Sequence, residues 1–254
     1  MSSRRNAASN FVVPACAVLA ILCSWQLADY LFEFKAVVFP NPIEVANALW
    51  ANLRILTYNA SVTFVEAFLG FVLGVTAGLT LAAMAHFSNR LRQIIMPFAV
   101  SLKATPIIVL APLLIMWLGN GYVSKIVMAA VAAFFPVLVN SFQGFTSIER
   151  EWLELMRLHG ATRSQIFWKL RVPYALPDIF SGMRIATSLA MVGAVVSEFS
   201  GAEIGIGKLI ATSTYYLNID LVFAGVLVLC LVGIAFYGCV AWLQGRIVFW
   251  ESSL

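Results

Sequence analysis

Charge is scarce in this sequence. Asp, Glu, Lys and Arg make up 11% of its 254 residues, where soluble domains carry about a quarter. The mean hydropathy is +0.91. A water-soluble globular chain is excluded, because apolar runs of about 20 residues recur along it. Strand alternation is also lacking, so the runs read as membrane-spanning helices rather than barrel strands. Histidine occurs twice, at His86 and His159, and neither has a plausible triad partner. The four cysteines, Cys16, Cys23, Cys230 and Cys239, lie in apolar runs without metal-ligand spacing and read as small apolar residues. Neither a GxSG pattern nor paired intramembrane Asp residues are present. Residues 201–208, GAEIGIGK, miss the phosphate-loop pattern: its first glycine would fall at Ala202, and Leu209 stands where Ser or Thr is required. These absences predict no catalytic residue, no metal, no cofactor and no enzyme.

What is present is an all-α integral membrane chain of about six spans, predicted at 11–32, 60–86, 94–118, 124–145, 178–198 and 221–243. The third is interrupted by Pro97, Pro106, Pro112 and Lys103. Arg4 and Arg5 precede an apolar run that continues to Tyr30 without an A-x-A site, which predicts a retained first span rather than a cleaved signal. The loop that follows, 33–59, contains FPNPIEVANALW, where Asn41 or Pro42 opens a short helix. With both termini inside, ten Lys and Arg residues face the cytoplasm and four (Lys35, Arg54, Lys125, Lys208) face outward. The net charge of +4 is thus a topology signal and does not indicate nucleic-acid binding. Gly70, Gly74 and Gly78 form a small-xxx-small face on the second span, expected to pack within the chain.

Five of the sixteen basic residues fall between Arg150 and Arg171, in the loop between spans four and five. The segment reads as two short amphipathic helices joined at Gly160 and stopped before Pro173. Trp152, Leu155, Leu158 and His159 share a face apart from Arg150, Glu154 and Arg157. Such a segment can lie on a membrane surface or lay its apolar face into a protein groove.

The spacing adds a resemblance. Glu154, then Gly160, then Leu170-x-Val172-Pro173 resembles the EAA loop of importer-type ABC transporter permeases, whose pattern is E-A-A, three residues, G, nine residues, I-x-L-P. Leu155 and Met156 replace the two alanines, and Leu170 and Val172 replace Ile and Leu. The resemblance covers nearly the whole chain. FPNPIEV, TPIIVLAPLLIMWLGNGYVSKI and SGMRIATSLAMVGAVVSEFSGAEIGIGKLI are similar to the nitrate/sulfonate/taurine-type branch.

The resemblance implies a type I ABC importer fold. The chain would be one permease domain, 1–254, with a cytoplasmic coupling loop at about 147–173. Its coupling residues would be Trp152, Glu154, Leu155, Met156, Gly160, Leu170 and Pro173. It also implies a homodimer in a bacterial inner membrane, with two cytoplasmic ATP-binding subunits and an extracytoplasmic binding protein that delivers the solute. FFPVLVN and VVSEF look closer to members linked with pyrimidine-type or other small aromatic solutes than to the sulfonate carriers, with a sulfonate- or nitrate-like anion as the alternative substrate.

Candidates for the translocation path are Glu66, Lys103, Thr187, Ser188 and Glu198, polar groups in apolar spans. Each has a structural alternative: pairing or snorkelling for the charged groups, as for Arg184, and bonding to the residue's own helix for the hydroxyls, as for Ser197. A secondary transporter or channel acting without an ATPase is the alternative function, although no inverted repeat supports it.

Overall fold

The computed structural model describes residues 38–250 and most positions between 16 and 31; the side chains of Lys103 and Ala104 lie outside the described part. The first span expected at 11–32 falls partly outside the described residues, which include there the apolar helix Leu19–Ala28.

From residue 38 onward the chain is helical: α1 (Pro42–Ala51), α2 (Leu53–Phe87), α3 (Asn89–Ala104), α4 (Ile107–Leu118), α5 (Tyr122–Thr146), α6 (Arg150–Leu158), α7 (Arg163–Ile166), a π-helical turn (Phe167–Arg171), α8 (Val172–Gly201), α9 (Ile206–Tyr215) and α10 (Ile219–Ile247). Leu53–Phe87, Tyr122–Thr146, Arg163–Gly201 and Ile219–Ile247 are each long and apolar enough to cross a bilayer. They correspond to spans two, four, five and six.

The third span departs from the expectation of a single run over 94–118. Helices α3 and α4 meet at 100°. Only one of the three prolines causes this. Thr105, held ahead of the Pro106 ring, is extended at φ −74° and ψ 124°, because that ring disfavours the helical region for the residue before it. Pro97 and Pro112 sit inside α3 and α4. The loop expected to reach residue 59 is also shorter than predicted, because α2 already begins at Leu53.

The chain divides into two compact units. In one, Met1–Thr57 with Leu209–Val228, Asn41 caps α1. Its Oδ1 accepts the Glu44 amide at 2.9 Å and its own amide donates to Glu44 Oε2 at 2.9 Å, while Pro42 occupies the first helical position, where a missing N–H is harmless. Trp25, Phe39 and Phe223 pack with ring centroids 5.7–6.0 Å apart.

The other unit comprises Tyr58–Lys208 and Leu229–Leu254. Here α5 lies between α2 and α8, and small residues bring the helices close. A Cβ on Gly74 would lie 2.7 Å from Ala130 O and 2.9 Å from Ala133 Cβ. A Cβ on Gly193 would lie 2.9 Å from the Met128 carbonyl. The glycine face of the second span therefore packs within the chain. Ala67, Phe71, Ala129, Ala133, Ala190 and Ala194 fill the core between these helices.

Candidate functional site

The segment between spans four and five is built from two stop-and-start signals one residue apart. Helix α6 ends in a Schellman motif: the Gly160 amide donates to Arg157 O at 2.9 Å and the Ala161 amide to Met156 O at 3.0 Å, with Gly160 at φ +73°. Thr162 then caps α7. The Gln165 amide donates to Thr162 Oγ1 at 3.3 Å, and the Thr162 amide donates to Gln165 Oε1 at 2.8 Å. This capping box was legible as T-x-x-Q but was missed in the sequence.

No residue of α6 is buried. Trp152, Leu155 and Leu158 are 50%, 46% and 85% exposed, and Glu154 is exposed beside them, while Met156 is half-buried. Helix α6 therefore presents large apolar side chains that the described residues leave uncovered. The next stretch is anchored: Ile166 and Phe167 are buried. The Phe167 ring lies 4.6 Å from Phe87, 5.3 Å from Phe145 and 5.8 Å from His86. Arg171 Nη1 donates to the carbonyl of Phe145, in the last turn of α5.

The helix expected to stop before Pro173 does not stop. The Val172 amide donates to Phe167 O, five residues back. Pro173 then enters α8 at a first-turn position where it needs no N–H. Leu170 is half-buried in the π-helical turn, and Pro173 is exposed. The result is a 39-residue helical run, Arg163–Gly201, about 58 Å long at 1.5 Å per residue.

The structure brings some of the predicted path residues together. Glu66 and Glu198 are 2% and 0% exposed, and their carboxyl groups lie within hydrogen-bonding reach of each other. Glu198 Oε1 accepts from Thr63 Oγ1 at 2.6 Å, and its Oε2 accepts from the Gly207 amide at 2.6 Å. Lys125 is 2% exposed, lies near both acids and donates to Asn120 O and Oδ1. It was counted with the outward-facing cations at the start of span four, and it sits in the first turn of α5.

Thr187 does not join this group. It is fully buried and donates to Arg184 O at 2.7 Å, on its own helix. Ser188 is exposed, and the side chain of Lys103 lies outside the described residues. Arg184 stands 5.8 Å over the Tyr237 ring. Sequence reasoning missed Asn59, Thr63 and Lys125. The first two lie seven and three residues ahead of Glu66 on one face of α2, a periodicity that could have revealed them.

Comparison with known proteins places this geometry. A family model described as binding-protein-dependent transport system inner membrane component matches residues 70–249. A probable ABC transporter permease protein of Haemophilus influenzae is 34% identical, over 92% of this chain and 96% of its own. The riboflavin transport system permease protein RibX of Chloroflexus aurantiacus is 32% identical, over 100% and 97%. A putative aliphatic sulfonates transport permease protein SsuC of Bacillus subtilis is 31% identical, over 92% and 85%. Among solved structures, a chain of the MetNI methionine ABC transporter in inward-facing conformations superposes with a TM-score of 0.62 at 21% identity, over 78% of this chain and 97% of that one. The last likeness concerns the fold.

Proposed function

The chain belongs to the binding-protein-dependent transport system inner membrane component family, and from that premise we propose that α6 is the element through which ATP-binding subunits drive it. Members are permease subunits of ABC importers, multi-pass plasma-membrane proteins that work with ATP-binding and substrate-binding proteins. The observation that carries the proposal is the exposed apolar face of α6, joined through one capped turn to a helix that runs unbroken into the bundle.

In this reading Trp152, Glu154, Leu155 and Met156 meet a groove on an ATP-binding subunit. Gly160 sets the angle of approach. Leu170 and Pro173 lie in the continuous segment that carries the motion into α8. Two copies of the chain, each acting as one permease domain, pair around the path and engage two ATP-binding subunits. In this reading both termini and α6 face the cytoplasm, which the ten-to-four distribution of basic residues supports. ATP closure moves the two α6 helices, and the bundles rock between inward-open and outward-open states.

The solute we propose is a small heteroaromatic compound of the pyrimidine type. A cavity of about 520 Å³, lined by Thr105, Pro106, Leu110, Phe135, Asn140 and Leu189 among others, supports this. None of its described lining residues is Lys or Arg, as a sulfonate or nitrate site would need. Its size suits a small organic ligand.

The test is co-purification in mild detergent with the co-expressed ATP-binding subunit. The wild-type chain is expected to retain it and Leu155→Asp to lose it at unchanged membrane abundance. A wild-type chain that retains no ATP-binding subunit overturns the reading. The purified binding protein, titrated with pyrimidines and with alkyl sulfonates, tests the solute class.

A further inference from the structure

The glycine-rich segment 201–208 that fails as a phosphate loop holds a carboxyl group, and that group is the chain's own. Three consecutive amides at the start of α9 are taken by side chains of α2 and α8. The Gly205 amide donates to Asn59 Oδ1 at 2.9 Å, the Ile206 amide to Thr63 Oγ1 at 2.9 Å and the Gly207 amide to Glu198 Oε2 at 2.6 Å. Thr63 closes the circuit by donating to Glu198 Oε1 at 2.6 Å. The cradle is full. A Cβ on Gly205 would come within 2.3 Å of Glu198 Cδ, and one on Gly207 within 2.7 Å of Glu198 Oε2. The chemistry is that of a carboxyl group at a helix N-terminus, turned inward and sealed, with Glu198 and Thr63 both 0% exposed.

The position of the cradle gives it a consequence. Glu198 stands near the far end of the helical run Arg163–Gly201, whose other end begins beside α6. A rigid helix moves as one body, so a displacement imposed at α6 arrives at Glu198. The hydrogen bonds of 2.6 Å are short, and breaking them strands a buried carboxyl group, which is costly. We infer that Glu198 and Thr63 are positioning residues: they latch the N-terminus of α9 and the α2 face at Asn59 and Thr63 to the far end of this helix, so that ATP-driven motion of α6 is delivered to α9. The inference rests on the permease reading above.

The test uses the complex of the full chain with its ATP-binding subunits in proteoliposomes. The four cysteines are replaced and a spin label is placed at the exposed end of the cradle by Lys208→Cys. Mobility is read with and without MgATP and vanadate, and amide exchange is followed at Gly205, Ile206 and Gly207. With Thr63 intact, the label is expected to respond to MgATP. Thr63→Val is expected to speed exchange at those amides by about tenfold, the equivalent of one hydrogen bond, and to abolish the response. Its ATP-binding subunits should stay bound and hydrolyse ATP within about twofold of wild type, which also reports that the variant is folded. Thr63→Ser, which keeps the hydroxyl, is expected to restore both. A response that persists in Thr63→Val, or exchange that does not accelerate, overturns the latch alone. Failure of the wild-type chain to retain the ATP-binding subunits overturns the permease reading and the latch together.

Discussion

The amide of Gly160 reaches back to the carbonyl of Arg157 at 2.9 Å, from a backbone with φ of +73°. Two reasons can call for glycine at such a turn, a left-handed backbone or a space too tight for a Cβ. The structure separates them. Nothing lies within 4 Å of a Cβ built at Gly160, so the constraint is the dihedral alone. Gly160→Val is expected to impose about 1–2 kcal/mol of strain and to misdirect α6. Asn tolerates this region, and Gly160→Asn is expected to behave nearly as wild type. Co-purification of the ATP-binding subunit checks this, with Arg163→Ala as an exposed control. If Val and Asn retain the subunit equally, the turn does not set the docking angle.

Close approach between α2 and α5 makes a second prediction. A Cβ on Gly70 would stand 2.4 Å from Ala129 Cβ and 2.7 Å from Ile126 O. Neither atom is the end of a flexible chain, so a side chain there must separate the helices. Gly70→Leu is expected to lose about 1–3 kcal/mol through overpacking. Gly233, in α10, has nothing within 4 Å, and Gly233→Leu is expected to stay close to wild type. Thermal unfolding in detergent reads the difference. Equal midpoints for the two variants would show that α2 and α5 do not depend on these glycines.

Orientation is tested by labelling. On a cysteine-free chain, Arg163→Cys is expected to react with a membrane-impermeant maleimide only in inside-out vesicles, because the ten-to-four bias of basic residues predicts a cytoplasmic position for this segment. Reaction in intact right-side-out vesicles would reverse the topology, and the docking role of α6 with it.

Much of the fold was legible because bilayer physics writes it in composition. Spans two, four and six are continuous apolar runs, and the described helices follow them. The caps at Asn41 and Gly160 were equally legible, since each depends on local chemistry. Four features were not. Pro106 breaks its span while Pro97 and Pro112 do not, because the tolerance of a helix for proline depends on what satisfies the freed carbonyls. Pro173 reads as a stop, yet the π-helical turn before it shifts the hydrogen bonding and carries the helix on. The Thr63 partner of Glu198 comes from α2, 135 residues away, and no local pattern announces that distance. Lys125 was counted as an outward-facing cation at the edge of span four, and its burial beside Glu66 and Glu198 depends on partners far away in sequence.

The last prediction concerns Arg171. Its guanidinium donates to the carbonyl of Phe145, one of the last-turn carbonyls of α5 that have no intrahelical partner. A cation there also suits the negative end of the helix. The contact ties the end of span four to the π-helical turn, beside the Phe167 cluster and the close approach of Gly144 to Ala175 and Asp178. Arg171→Leu keeps apolar volume and removes the donor, and the orphaned carbonyl is expected to cost about 1–3 kcal/mol. Arg171→Lys, which keeps a single donor and the charge, is expected to recover part of that. The exposed face of α6 is unchanged in both, so the ATP-binding subunit should still co-purify. What should fall is the transfer of its motion to the bundle. The measurements are the unfolding midpoint and ATP-driven uptake in proteoliposomes, taken side by side. If Arg171→Leu unfolds as wild type does and transports as well, the Arg171 contact does not couple the two spans, and Phe167→Ala becomes the next variant to test at this junction.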